Sequence, residues 1–363
     1  MPKKMVFLYV GKLPNGASYL DYPDNALTAL GGTTGKANEF VIAGGNYANY
    51  FNNATELNTF LNSVANLAVR VYNKTGKKVW LGLPRAPVPT STMTLSQYQT
   101  YASKLRDCAA TLRDKINGLS ANFLNNYVNG FCMNDEHVRN TPAGADDQFG
   151  VTVNYNNLTA HPQIYMYDNV SKYVKNILSK QLIWCPYYGA GNVYASTIKD
   201  IQYISNRTNI FNYVFIQPQY YFRGQNVNDA IGLNLKAIRE SMRLQRVVSR
   251  NASHQIVDNV SKGAGINTVI GCQMEIDSQY SQPAFAARYN DQKSIFETPL
   301  TNPSHNPPYS KANGDFSFYC GAYQAAYVGV VRHPGAARLD TYGGRIGHLW
   351  AAKLDISVGE IGH

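Results

Sequence analysis

The chain repeats one pattern seven times. A short apolar run is followed by a turn and then, in most repeats, by a longer segment with apolar residues every three or four positions. The runs fall at residues 5–10, 39–43, 78–83, 128–133, 182–185, 213–216 and 268–274. Helical periodicity marks 56–73, 96–116, 165–178, 193–205 and 227–249. In the first helical segment Leu57, Phe60, Leu61, Val64, Leu67, Ala68 and Val71 share one face, and Gly76 is placed to stop it. Runs apolar at consecutive rather than alternate positions are covered on both sides, as in a parallel sheet flanked by helices. Doubly wound nucleotide-binding folds have five or six such strands and a glycine-rich phosphate turn; this chain has more strands and no such turn. The expected fold is therefore α/β, a (β/α)8 TIM barrel in one domain spanning 1–363. Long loop insertions are expected after strand 4 (139–163) and strand 7 (278–315), with a C-terminal extension over 332–363. Two runs, 327–331 and 354–358, compete for the eighth strand.

Composition narrows the chemistry. Charged residues are only 15% of the 363, while the chain carries 27 Tyr and is rich in Asn, Ser, Thr and Gln. Such a surface suits sugars better than phosphates. The net charge of +10 points toward polyanions, but the bases are scattered; the densest stretches, 239–250 and 74–78, read as solvated helix faces and turns. No specific nucleic-acid partner is expected. The five cysteines (Cys108, Cys132, Cys185, Cys272, Cys320) lack CxxC spacing and read as free core thiols, with neither disulfides nor a zinc site. No apolar run is long enough to span a membrane. The first ten residues carry two lysines and too short an apolar run for a secretion signal. The expectation is a chain made without a leader, or one whose leader has been removed, in which case it belongs at the surface or outside the cell. The sequence assigns no oligomeric state.

In a barrel of this kind, active-site side chains sit at the C-terminal strand ends. Two of those ends are acidic. YVNGFCMNDEHV (127–138) runs from a buried strand into Asn134, Asp135 and Glu136, and NTVIGCQMEID (267–277) delivers Glu275 and Asp277. Unpaired carboxylates at the end of a core strand are costly unless the strand opens into a site. The other ends add Arg85, Tyr187, Tyr188, Gln217, Gln219 and Tyr220, so carboxylates, amides and aromatic rings share one rim. Glycosidic cleavage uses such a set: one carboxylic acid protonates the leaving oxygen, a second attacks or activates water, and flat rings and amides hold the sugar. Glu136 and Glu275 are the candidate catalytic pair; Asn134, Asp135, Arg85, Tyr187, Tyr188, Gln217, Gln219, Tyr220 and Asp277 are candidate substrate contacts. The plainer reading of each glutamate is a salt bridge at the rim. Successive side chains alternate, so Asp135 and Glu136 cannot both face the mouth, and one tyrosine of each adjacent pair is expected to pack. Trp80, in mid-strand, reads as core. His137 beside Glu136 has no helical partner histidine, and neither metal nor cofactor is expected.

The motifs GFCMNDEHV, IWCPYYGAG, VFIQPQYYF and IGCQMEID resemble successive strand ends of an uncharacterised bacterial family of glycoside-hydrolase-like TIM barrels, a domain of unknown function. The resemblance spans about residues 5–276. More distantly, the chain resembles the retaining-glycosidase superfamily with an acid/base after strand 4 and a nucleophile after strand 7. That likeness implies Glu136 as acid/base and Glu275 as nucleophile. In that superfamily an Asn directly precedes the acid/base Glu, whereas here Asp135 intervenes. Either Asp135 takes the acid role or Asn134 cannot hold the sugar 2-hydroxyl in the usual way; the reading favours Glu136. Two further classes stay open: a non-catalytic carbohydrate-binding or surface-structural barrel, and a binder of anionic polymers whose affinity would fall steeply with salt.

Overall fold

The computed structural model describes residues 3–136, 138, 162–189, 195–276, 278–297 and 314–320, apart from Pro14, Leu20, 32–36, Asn46, Ala48, 88–92, Ala252 and Asn259. Eight parallel strands close into a barrel: β1 (Lys4–Val10), β2 (Glu39–Gly44), β3 (Lys78–Gly82), β4 (Val128–Met133), β5 (Gln181–Trp184), β6 (Tyr213–Ile216), β7 (Val269–Ile276) and β8 (Phe316–Cys320). Each pairs with its neighbours in sequence, and β8 returns to β1 with Lys4 opposite Phe316 and Met5 opposite Ser317. Helices follow the strands: α1 (Asp24–Gly31), α2 (Ala54–Thr75), α3 (Leu95–Leu119), α4 (Pro162–Lys172), α5 (Ala195–Arg207), α6 (Ala230–Leu244) and α7 (Pro283–Glu297). The fold is the expected (β/α)8 barrel.

Local signals explain the long helices. Asn53 caps α2 by accepting the Glu56 N–H, and Gly76 ends it in the left-handed conformation at φ 65°. Thr94 and Gln97 form a reciprocal capping box at the start of α3.

Four expectations need correction. The barrel is closed by Phe316–Cys320, whereas 327–331 and 354–358 both lie outside the described residues. Its register with Met5 turns Ser317 into the barrel, so the run lacks the continuous apolarity that marks the other strands. The stretch after β7 contains α7, which buries only Tyr289, Gln292 and Phe296 and therefore has no strong apolar stripe. No helical periodicity is marked between the first two strands, yet the segment after β1 contains α1, a short helix burying Ala26, Leu27 and Leu30. The segment 227–249 is not one helix: α6 ends at Leu244, Gln245 turns left-handed at φ 52°, and Ser249–Arg250 pairs antiparallel with Ile256–Val257. In the insertion after β4, residues 139–161 lie outside the described set.

There are two cores. The larger lies between strands and helices. The smaller fills the barrel with Met5, Phe7, Tyr9, Val41, Ala43, Trp80, Cys132, Ile183, Cys185 and Phe215. Trp80 is fully buried, its indole N–H donating to Glu39, which also pairs with Lys3; the Lys3 ammonium lies over the Trp80 and Tyr213 rings. Cys108, Cys132, Cys185 and Cys272 are free and buried, while the Cys320 side chain lies outside the described set. The width of Trp80 dictates its neighbour. A Cβ on Gly130, opposite Trp80, would stand 2.2 Å from the Gln181 carbonyl oxygen and 2.5 Å from the indole. Gly130→Ala is expected to destabilise the protein by roughly 2–3 kcal/mol, as overpacked cores do, read as a lower urea midpoint at unchanged slope.

Candidate active site

The inner face of β4 carries Gly130 and Cys132, and alternation continues it through Asn134 to Glu136. Asp135 lies on the opposite face, 3% exposed, among Arg85 and Ala86 after β3 and Tyr167 of α4. Burial pushes its carboxyl up to about 7. Glu136 adds to that rise, while the Arg85 guanidinium and the Ala86 N–H pull the other way. Its two oxygens have no hydrogen bond of normal geometry among the described residues, and its carbonyl accepts the Trp184 indole N–H. Asp135 and Arg85 thus sit between barrel and helices, and neither is placed to meet a sugar in the mouth.

Glu136 is half-buried and sits on the mouth side. Its charge acts on Tyr19, Cys185 and Glu275, two of which are inner-face residues and the third a loop residue above them. Its carbonyl accepts the Tyr187 N–H at 2.9 Å, lashing the ends of β4 and β5 together. Glu275 stands on the inner face of β7, since Gln273 two residues before it is opposite the inward Ser317. It is 1% exposed. One carboxyl oxygen accepts the Gln219 N–H at 3.0 Å; the other finds no partner among the described residues. Burial pushes this carboxyl up to about 8, with the Gln219 and Tyr221 N–H groups opposing and Glu136 adding to the rise. Gln219 supplies its N–H from the left-handed region, φ 57°. A non-glycine residue held there costs of order 1 kcal/mol and is worth noting beside a buried acid.

Most of the remaining described candidates are tied to the frame around the mouth. Asn134 donates both amide hydrogens to the carbonyls of Gly44 (2.9 Å) and Gly45 (3.1 Å), bridging the ends of β4 and β2. The Gln217 side chain donates to the Cys185 carbonyl, making it a brace between β6 and β5 rather than a free amide. Tyr187 is buried and pairs through its backbone with Glu136 and Gln217. Tyr188 is fully buried with its hydroxyl donating to the Val248 carbonyl, and Tyr220 is fully buried with its hydroxyl on Asp291 of α7 at 3.1 Å. These two tyrosines pack the outer layer, so substrate contact is not open to them. Asp277 and His137 lie outside the described residues. Among the described residues, no group of three or more His, Cys, Asp or Glu side chains is disposed to hold a metal ion, and no helix is long and apolar enough to cross a membrane.

No protein-family model matches the chain, and no curated protein does. Solved structures of similar shape include a GH18 chitinase from Pseudoalteromonas aurantia (10% identity, TM-score 0.42, covering 92% of this chain and 99% of that one). They also include the xylanase-alpha-amylase inhibitor protein XAIP-I, in complex with trehalose (11% identity, TM-score 0.40, covering 91% and 96%), and methylornithine synthase, PylB (10%, 0.36, 87% and 71%).

One residue escaped the sequence reading. Tyr19, in the loop after β1, stacks on Tyr9 with ring centroids 5.6 Å apart. Burial, with Tyr50 and Glu136 nearby, pushes its hydroxyl up to about 12. A Cβ on Gly45 would stand 2.1 Å from that hydroxyl, so the glycine makes room for it. Nothing in the loop's sequence separates Tyr19 from the chain's many other tyrosines. Its partner Tyr9 was detectable only as a polar-tipped ring in an otherwise apolar strand.

Proposed function

We propose that the barrel hydrolyses a glycosidic bond of a neutral oligo- or polysaccharide with the Glu136–Glu275 pair. The observation that carries this reading is that two strand ends bring these carboxyls within each other's field, one half-open to the mouth and one buried beneath it. Near neutral pH Glu275 holds its proton, and double displacement requires one proton and one charge across the pair. In the empty site the proton sits on Glu275. A sugar seated over Glu136 strips water from it and makes it the better proton holder. The proton then passes to Glu136, leaving Glu275 as a carboxylate stabilised by the Gln219 N–H. Glu275 attacks the anomeric carbon as Glu136 protonates the leaving oxygen; Glu136 then takes a proton from the water that releases the sugar.

This mechanism predicts an alkaline limb. kcat/KM, which reports the free enzyme, should fall about tenfold per pH unit above about pH 8, where Glu275 loses its proton. The test is turnover of neutral polysaccharides and nitrophenyl glycosides across pH 5–10. A flat profile above pH 8 would remove Glu275 from the proton inventory.

A second reading has its own observation. At 1% exposure Glu275 has almost no access to a ligand, which favours a barrel that binds glycan without cleaving it. Saturable binding with no cleavage of the bound sugar over days would select that reading.

A further inference from the structure

A cavity of about 450 Å³ lies beside the mouth, between the loop after β1 and one face of α2. That volume is within the range of small-molecule sites. We propose that it is a second sugar-binding site, accepting a short stretch of neutral glycan that continues from the carboxyl pair past Tyr19. This rests on the glycan reading of the barrel and adds to it a location and a ligand charge.

Three features argue for a neutral polyol. First, the charges in the wall cancel within it: Lys12 pairs with Glu56, and Arg70 with Asp21. An anionic or cationic ligand would have to break an existing pair to gain a new one. Second, α2 presents Thr55, Thr59, Ser63 and Asn66 at helical spacing along the cavity. The Thr59 hydroxyl donates back to the Thr55 carbonyl (2.9 Å) and the Ser63 hydroxyl to the Thr59 carbonyl (3.0 Å). With their hydrogens spent inside the helix, these oxygens turn lone pairs outward and suit a ligand rich in O–H donors. Third, Tyr19 offers a part-exposed ring at the cavity, stacked on Tyr9 at 5.6 Å, with the buried Tyr50–Phe60 pair in the wall. Sugar rings pack their C–H faces on such surfaces while their hydroxyls reach the polar side.

Tyr19 makes the connection. It lines the cavity and stacks on Tyr9 of the barrel interior, and the Glu136 charge bears on its hydroxyl. A glycan held over Glu136 would meet Tyr19 next and the α2 face after it.

The test is an amide NMR titration of the full chain with cellotetraose, xylotetraose, maltotetraose and chitotetraose, with tetragalacturonate as the anionic control. At least one neutral probe is expected to shift the Thr59, Ser63 and Asn66 amides saturably, and tetragalacturonate to leave them in place. Ser63→Trp, which fills the cavity from a half-exposed helix position, should weaken that probe at least tenfold; if it does not fold, Asn66→Trp at an exposed position of the same face serves instead. Shifts confined to Asn134–Glu136 and Gln219, affinity unchanged by the tryptophan, or equal shifts with tetragalacturonate would each overturn the proposal. None of these bears on the carboxyl pair, which stands or falls on turnover.

Discussion

Glu275→Gln is expected to lower turnover at least a thousandfold while leaving the barrel folded, and Glu136→Gln to do the same. The size follows from what each change removes. Glutamine keeps the shape and the ability to accept the Gln219 N–H, but it can neither attack an anomeric carbon nor carry the shared proton. General acid–base catalysis alone contributes about 10²–10⁴-fold, and loss of a nucleophile costs at least as much. Both variants should retain wild-type circular dichroism, and Glu275→Gln a higher melting temperature at alkaline pH. Full activity in either variant would sink the assignment of the pair, whatever became of the cavity beside α2.

Stability should fall as pH rises from about 5 to 8.5, opposite to the behaviour of a protein held by surface ion pairs. Asp135 and Glu275 are buried, and their carboxyls are pushed up to about 7 and about 8. Between their ordinary carboxylate values and these raised ones, the folded chain holds protons that the unfolded chain has released. Raising pH through that window therefore favours unfolding. A titration displaced by about three pH units, at about 1.4 kcal/mol per unit, sets a ceiling near 4 kcal/mol per carboxyl. Water entering the site should reduce this to roughly 2 kcal/mol each. The melting temperature is expected to drop by roughly 5–10 °C over the window, with Asp135→Asn and Glu275→Gln each removing its own share. Glu56 and Asp24, held low by Lys12 and by Lys74 and Arg70, act the other way, but only under more acid conditions. A melting temperature that rises with pH would show that neither buried carboxyl is protonated in the fold.

Much of the fold was legible because burial on two faces writes itself into consecutive apolar residues. β4 and β6 fall where the sequence placed them, and Gly76 stops α2 through its left-handed backbone. β8 was illegible for the converse reason: Ser317 occupies an inward position that an apolar residue would have advertised. At the site, alternation foretold that Asp135 and Glu136 diverge, but its expectation that one tyrosine of each pair packs fails at Tyr220 and Tyr221, which are both fully buried on a helical turn. It could not say which carboxylate faces the mouth, because that depends on where the strand enters the barrel. Gln217 and Tyr220 were misread as free contacts; their partners, the Cys185 carbonyl and Asp291, are 32 and 71 positions away along the chain. Tyr19 carries no signal in the sequence, since only the folded loop sets its ring on Tyr9.

The seam that closes the barrel joins groups 312 and 310 positions apart: the Lys3 N–H donates to Asp315, and Lys4 bonds the Gly314 carbonyl. During synthesis β1 emerges first and its second neighbour last, so one edge of the nascent sheet stays unpaired while nearly every other strand is made. Open strand edges recruit other chains, and lysines flanking an apolar strand are the usual deterrent. Lys3 and Lys4 stand at the head of that edge. The two residues that guard the unfinished sheet against wrong partners become, once β8 arrives, the ones that fasten the right one.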